Sequence, residues 1–450
     1  MAHRRTFGVI FCLLLATTLL LLLLFHATSR YHGKSQGVEG LQALISNTWT
    51  KSHQSQRELQ QLNYATLMEA RRDLVTNTCT LHQDHFFKTA KDVNIVEYNY
   101  MVDESRNLLV CLINKIASSF WMRIFYVLNH ARHPGFFNLS SEKIHAGVTK
   151  KFAVFQGQPF IRRAHWLLMS KRFMFVRDPY ERLFSGWADK FFVPFGLPPF
   201  LDAVVKKLDG KNAAAPKDAG YVKRCGLAKG ASFTDLVRFL VDSHPNAINE
   251  HFRSYSHQCF PCHVHYDFIG KMETFDQDVA FILRSVNVDP NDVYNVSGDG
   301  ALEEKNALNF MNGVAERAFG RWHANCSTTL YNMMRRIWVA FKVRGYVSLN
   351  LTFPLSKVEA RSTSVAAFKA IATKAYRDTP DHAAAKKQRR QAFLEAYYSL
   401  PRPLLKKLEA YVADDCQLFG YDCDIESRFN LSDKPPAEMF HFDKLMFSED

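Results

Sequence analysis

With 450 residues and a net charge of +13, the chain is long enough for one large domain or two ordinary ones. Hydrophobic residues make up 47% and charged residues 22%, which excludes a disordered composition and provides for a sizeable core. The basic balance favours an anionic partner, but charge alone does not choose among nucleotide, acidic polysaccharide, nucleic acid and anionic lipid.

The first predicted element is an uncharged apolar run from Phe7 to Phe25, with unbroken leucines from Leu19 to Leu24. It is about long enough to cross a bilayer as a helix. Arg4 and Arg5 precede it, so residues 1–6 are expected to stay cytosolic and the remainder to enter the secretory lumen. The competing reading is a cleaved signal peptide; against it stand a run longer than most signal cores and the lack of a clean small-x-small site after Phe25, and under either reading the remainder enters the lumen. N-x-S/T tripeptides at Asn138, Asn295, Asn325, Asn350 and Asn430 agree with a lumenal location. So does the cysteine set Cys79, Cys111, Cys225, Cys259, Cys262, Cys326, Cys416 and Cys423, which an oxidising compartment lets pair, with connectivity open. Cys259-Phe-Pro-Cys262 lacks a second metal-spaced pair, so structural disulfides are expected there and no metal site.

Residues 26–83 read as a stem. Within it, Arg57 to Val75 carries Leu59, Leu62, Leu67, Ala70 and Leu74 at helical spacing. That helix either self-associates, giving a homodimer, or packs on the domain that follows; the pattern leaves both open. From residue 84 to about 430, short apolar runs alternate with amphipathic stretches, which predicts an α/β domain with a central parallel sheet flanked by helices. Residues 431–450 form a C-terminal tail.

Leu108 to Ile113 is a compact apolar run, expected as a buried parallel strand. Asn114-Lys-Ile-Ala-Ser-Ser119 follows, then a helix with Phe120, Ile124 and Leu128 on one face and Ser118 or Ser119 as its cap. Lys115 and two hydroxyls at a helix N-terminus make an anion site, where free N–H groups and the helix dipole add to a full charge. The glycines of a Walker A loop are missing.

Phe173 to Val176 is a second short strand. In Arg177-Asp-Pro-Tyr-Glu-Arg-Leu-Phe-Ser185, Asp178 stands as N-cap, Pro179 at the first helical position, and Glu181 where it would complete a box. Leu183, Phe184, Trp187 and Phe191 share one face. Arg177 closes the strand at the edge where open sheets gather ligands; its planar fork suits a phosphate, with the Ser185 hydroxyl as a further donor. The other reading of Arg177 is a salt bridge within the fold.

These segments resemble the carbohydrate sulfotransferase family of the chondroitin and dermatan 4-O-sulfotransferases and the glucuronyl 3-O-sulfotransferase. Lys115-Ile-Ala-Ser-Ser-Phe-Trp121 is similar to that family's 5′-phosphosulfate loop, with Phe120 in place of a polar residue. Arg177 to Ser185 resembles its 3′-phosphate motif nearly residue for residue. The segments Glu250 to Cys262, Tyr266 to Glu273 and Tyr411 to Tyr421 continue the likeness. The stretch from Ser364 to Arg390 looks longer than the family norm. The resemblance implies a P-loop-like sulfotransferase fold and 3′-phosphoadenosine 5′-phosphosulfate (PAPS) as co-substrate, with no metal. Under it Lys115, Ile116, Ala117, Ser118 and Ser119 hold the phosphosulfate, and Arg177 and Ser185 hold the 3′-phosphate. Lys115 neutralises the bridging oxygen, and His251 is the first candidate for the base, ahead of Glu250.

The expected activity is sulfation of an anionic glycan or proteoglycan, a chondroitin or dermatan type chain, in the Golgi membrane. Basic clusters at Lys150-Lys151, Arg162-Arg163 and Lys386 to Arg390 are the candidate polyanion surface, and no nucleic-acid partner is expected. Two other classes stay in view: a lumenal binding protein without turnover, which rests on Phe120, and a metal-dependent glycosyltransferase, whose Asp-x-Asp pattern Asp414-Asp415 does not meet.

Overall fold

The computed structural model describes residues 63–86, 99–130, 135–139, 144, 153–155, 157–194, 200, 203–204, 207, 231–294, 301–324, 328–429 and 438–447. The apolar run at 7–25 and most of the expected stem lie outside them; among the described residues no helix is long and apolar enough to cross a membrane.

Strands β1 (Tyr100–Asp103) and β2 (Leu108–Cys111) form a hairpin, with Tyr100 opposite Cys111 and Asp103 opposite Leu108. Asp103 closes its turn by accepting from Ser105 N–H (3.1 Å) and Arg106 (2.9 Å). Helix α1 (Ser118–Asn129), the two-residue β3 (Ala153–Val154), helix α2 (Phe160–Met169), strand β4 (Lys171–Val176) and helix α3 (Pro179–Trp187) follow. After α4 (Phe233–Val241), strand β5 (Phe268–Lys271) completes a five-stranded sheet in the order β3-β1-β2-β4-β5.

This sheet corrects the expected central parallel sheet to a mixed one. β2, β4 and β5 run parallel, whereas β1 is antiparallel to β2 and β3 antiparallel to β1. The cause is local: a four-residue turn joins β1 to β2, and only antiparallel strands can be joined so tightly.

The rest is mostly helical. Helices α5 (Phe275–Ser285), α6 (Ala301–Arg321), α7 (Leu330–Val343), α8 (Val365–Arg377), α9 (His382–Tyr398), α10 (Arg402–Phe419) and α11 (Phe442–Phe447) surround the sheet and α3. One apolar core lies on the sheet, around Phe173, Trp121 and Phe125. A second joins α3 to the later helices through Trp187, Phe233, Ile337 and Phe393. The stretch from Ser364 to Arg390 is thus part of a helical layer, with Phe368, Ala385 and Gln388 buried.

Residues 67–81 are helical and pack on the sheet domain. Arg71 pairs with buried Asp278 at 2.9 Å, and Cys79 is bonded to Cys262. Met68, Val75 and Cys79 face inward, while Leu67 and Leu74, on the face expected to be apolar, are partly exposed. The other described disulfides are Cys111–Cys259 and Cys416–Cys423. Both cysteines of Cys259-Phe-Pro-Cys262 therefore serve structural bridges, each to a distant partner. Asn138 and Asn350 are exposed; Asn295, Asn325 and Asn430 lie outside the described residues.

Candidate functional site

Because β2 and β4 are parallel neighbours with Cys111 opposite Met174, the chain leaves both strands at the same edge. Lys115 follows one strand and Arg177 the other. In the first loop Lys115 (φ 71°) and Ala117 (φ 52°) both take the left-handed conformation. Within this winding the Ile116 N–H turns back to Ile113 O at 3.3 Å. Helix α1 starts at Ser118 with Ala117 as N-cap, no side-chain cap and no acid in its first turn. The expectation that Ser118 or Ser119 caps it is corrected: both hydroxyls lie inside the first turn. Ile116 is buried and anchors the loop. Phe120 packs its ring among Phe136, Phe275 and Tyr294, with centroids 5.0–5.4 Å away. Its departure from the polar family residue is thus accounted for by aromatic packing.

The Lys115 ammonium meets the Asp189 carboxylate at 2.7 Å, with only 13% of its side chain exposed. Asp189 also faces Lys190 (3.3 Å) and Arg344 (3.7 Å). It is carried on a π-helical turn, Ala188–Phe192, that continues α3; such turns re-aim side chains inside a helix. Buried Arg336 secures that turn through the carbonyls of Phe191 (2.9 Å) and Phe192 (2.7 Å). Burial draws the Lys115 pKa down to about 8; Asp189 opposes this, and Arg344 and Lys190 add to it. Asp189 itself lies well below the usual carboxylate range: burial works against ionisation, but Lys115, Lys190 and Arg344 outweigh it.

Asp178 caps α3 as expected, accepting from Glu181 N–H at 2.9 Å, with Pro179 in the first turn. The expected box does not close through Glu181. Its carboxylate turns back to the Arg177 guanidinium (2.7 Å), and the Asp178 N–H donates to Glu273 instead (3.2 Å). Of the two readings of Arg177, the salt bridge within the fold is the one observed, at the edge shared with the Lys115 loop. Ser185 is half-buried one turn beyond Glu181.

The third segment is bound to the same edge. Arg182, itself buried, donates to Asn114 O (3.2 Å), Arg253 O (2.6 Å) and Glu250 O (3.1 Å), and lies over the Tyr255 ring at 4.9 Å. The Tyr255 hydroxyl donates to Arg177 O (2.5 Å), and the Tyr255 N–H reaches the buried Asp415 carboxylate at 3.0 Å. Burial pushes Asp415 up to about 7 against the N–H groups of Tyr255 and Ser256 and the charge of Arg182. Gly186 admits this segment to α3: a Cβ there would stand 2.6 Å from the Phe252 ring.

His251, next to Phe252, is half-buried. Its own N–H (3.0 Å) and its Nδ1 (2.7 Å) both approach Asn249 Oδ1. An atom that accepts from a backbone N–H is the amide oxygen, so Nδ1 must carry the proton and Nε2 keeps its lone pair. Burial pulls His251 down to about 3, with Lys190 and Lys115 adding to the effect, which keeps it neutral. The Glu250 side chain is exposed.

The roles of Asp189, Lys190, Arg344 and Arg182 escaped the sequence reading, and Asp415 was read only as part of the Tyr411 to Tyr421 segment and of the Asp414-Asp415 pair. Arg182 lies within the quoted motif and Asp189 four residues beyond it, but nothing in one sequence marks which charged residue of a helix turns inward. Among the described residues no cluster of metal-ligating side chains occurs.

A model of the sulfotransferase family matches residues 98–337, over half of the chain. The chain belongs to the sulfotransferase family. The match takes in the Lys115 loop, the Arg177 motif and the His251 segment. Among its relatives are carbohydrate sulfotransferase 11 of Rattus norvegicus, 30% identical over 241 residues, and carbohydrate sulfotransferase 9 of Homo sapiens, 29% identical over 250 residues. The alignments cover 51% of this sulfotransferase-family chain and 65% of the rat protein, and 53% and 49% for the human one. The chain therefore spans less than two thirds of either relative. No solved structure gives a significant match.

Proposed function

We propose that this sulfotransferase-family chain transfers a sulfuryl group from PAPS to a hydroxyl of a glycan, with a chondroitin or dermatan type chain as acceptor. The observation that carries the reading is the meeting at one sheet edge of the Lys115 loop, Arg177 and a neutral His251 whose Nε2 is left to accept a proton. Backbone donors from Ala117 to Ser119 would hold the phosphosulfate, with Ile116 anchoring the loop, and Arg177 with Ser185 the 3′-phosphate. As the acceptor oxygen attacks sulfur, His251 Nε2 takes its proton. The bond from sulfur to the phosphate oxygen breaks, and Lys115 balances the charge left there. Asp189 aims the ammonium. The printed names of the relatives support a carbohydrate acceptor, and the sequence resemblance supports the chondroitin or dermatan class. We place the activity in the Golgi lumen behind the anchor at Phe7 to Phe25, which with most of the stem lies outside the described residues.

The test is incubation of the protein with labelled PAPS and a panel of desulfated glycans, followed by mapping of the sulfated position. Label on a desulfated chondroitin or dermatan chain is expected; label only on neutral oligosaccharides defeats the acceptor assignment.

The pH profile of kcat/KM checks the site itself. The group that must be charged is Lys115, whose pKa is lowered to about 8. Its charge is present below that value and lost above it, so rates are expected to fall as pH rises through about 8. His251, lowered to about 3, is neutral throughout the working range and adds no acid limb there. Lys115→Arg should move the alkaline limb upward, because a guanidinium stays protonated. An alkaline limb unmoved by that substitution counts against the role of Lys115.

The basic clusters fare unevenly as a polyanion surface. Lys150-Lys151 lies outside the described residues. Arg162 faces Glu104 (3.1 Å), Lys386 faces Glu303 (2.7 Å), and Arg389 stands 3.7 Å from Glu181. Intrachain acids thus already neutralise part of the charge at Arg162-Arg163 and at Lys386 to Arg390.

A further inference from the structure

Helix α7 offers a different cationic surface. Arg335, Trp338, Val339 and Lys342 recur at helical spacing and so share one face, while Arg336 points the other way, into the core. That face forms one wall of a cleft of about 280 Å³, closed on the other side by residues 439–441 and by Lys444 of α11. The volume is near the lower end of small-molecule sites. Glu395 holds the far wall in place, accepting the N–H groups of Met439 (2.7 Å), Phe440 (3.0 Å) and His441 (2.8 Å).

The lining is cationic and aromatic. Lys342 is fixed by Leu349 O at 2.9 Å, and Arg335 lies 5.3 Å from the Tyr331 ring. Lys444 and His441 are exposed at the rim. Trp338 and Phe353, with centroids 5.8 Å apart, supply the apolar wall. No carboxylate lines the cleft, and among the described residues none pairs with Arg335, Lys342 or Lys444. Of the nearby acids, Glu395 is engaged by the three N–H groups and Glu438 by His441 at 3.3 Å, while Asp443 stands beside Lys444 on α11, where burial and the charges of Asp235, Glu438 and Glu395 raise its pKa.

Arg344, the C-cap of α7, stands on the opposite face of the helix from the cleft and pairs with Asp189. Cations without counter-ions beside an apolar wall fit a ligand with acidic groups and apolar sugar faces.

We propose that this cleft is a second glycan-binding site, which holds a uronate-bearing stretch of the polymeric acceptor away from the hydroxyl being sulfated. The inference rests on the glycan reading given above. It adds residues that lie almost entirely beyond the stretch matching the family, 98–337.

The experiment measures equilibrium binding of an unsulfated chondroitin hexasaccharide to the full chain in detergent, without nucleotide. Its carboxyl-reduced counterpart and an acidic peptide of equal charge are run beside it. The unmodified sugar should bind most tightly. Arg335→Ser combined with Lys444→Ser should weaken it about tenfold, since two charge-assisted contacts are lost, and Lys444→Glu alone should act in the same direction. Affinity for adenosine 3′,5′-bisphosphate should stay unchanged in both variants, and KM for long chains should rise with kcat unaltered. Wild-type sugar affinity in both variants overturns the proposal, as does equal binding of the carboxyl-reduced sugar or the peptide, or no binding to the wild type. Sulfation of a monosaccharide acceptor, measured in parallel, separates the two readings. If it fails while the hexasaccharide binds and responds to the variants, the cleft stands and the transfer reading falls.

Discussion

Lys115→Met is expected to lower kcat for sulfation by about a thousandfold, the scale seen when a preorganised charge is removed from developing negative charge. The side chain keeps its length and apolar stem, so the left-handed loop at Lys115 and Ala117 has no reason to unwind. Asp189 loses its shortest partner but keeps Lys190 at 3.3 Å and Arg344 at 3.7 Å, so its carboxylate is not stranded. Nucleotide affinity should fall far less than kcat, because the charge on the bridging oxygen grows mainly as the bond breaks. Single-turnover rates and calorimetry with adenosine 3′,5′-bisphosphate read the two quantities separately. An equal loss in both would make Lys115 an ordinary binding residue and remove its proposed part in the chemistry.

Arg177→Ala should weaken adenosine 3′,5′-bisphosphate by about 2 kcal/mol, roughly 30-fold, the scale of a lost charged hydrogen bond. A nucleotide lacking the 3′-phosphate should lose little. The salt bridge to Glu181 at 2.7 Å sharpens the test, since phosphate and carboxylate compete for one guanidinium. Glu181→Gln removes the competitor and should leave affinity equal or raised. If Arg177 serves only the fold, Glu181→Gln and Arg177→Ala should lower thermal stability alike and leave the preference for the 3′-phosphate untouched. Calorimetry with the two nucleotides decides between these outcomes.

Local signals were enough to read the strands around Val110 and Phe175, because inner parallel strands are buried on both faces and appear as unbroken apolar runs. The cap at Asp178 and Pro179 was equally plain, since capping chemistry is confined to neighbouring residues. The segments Lys115 to Trp121 and Arg177 to Ser185 carry the likeness to the sulfotransferase family in their residues alone. The partners of those residues were out of reach. Asp189 meets Lys115 only because a π turn re-aims it and Arg336 of α7 holds that turn from far along the chain. Asp415 meets Tyr255 across 160 positions, and Glu273 takes the N–H that a sequence rule assigned to Glu181. The mixed sheet likewise followed from how β1 folds back on β2. Chain-local chemistry fixes strands, caps and motifs. Which buried charge faces which is decided by packing between distant segments, where desolvation makes every unpaired charge costly and the fold supplies the pair.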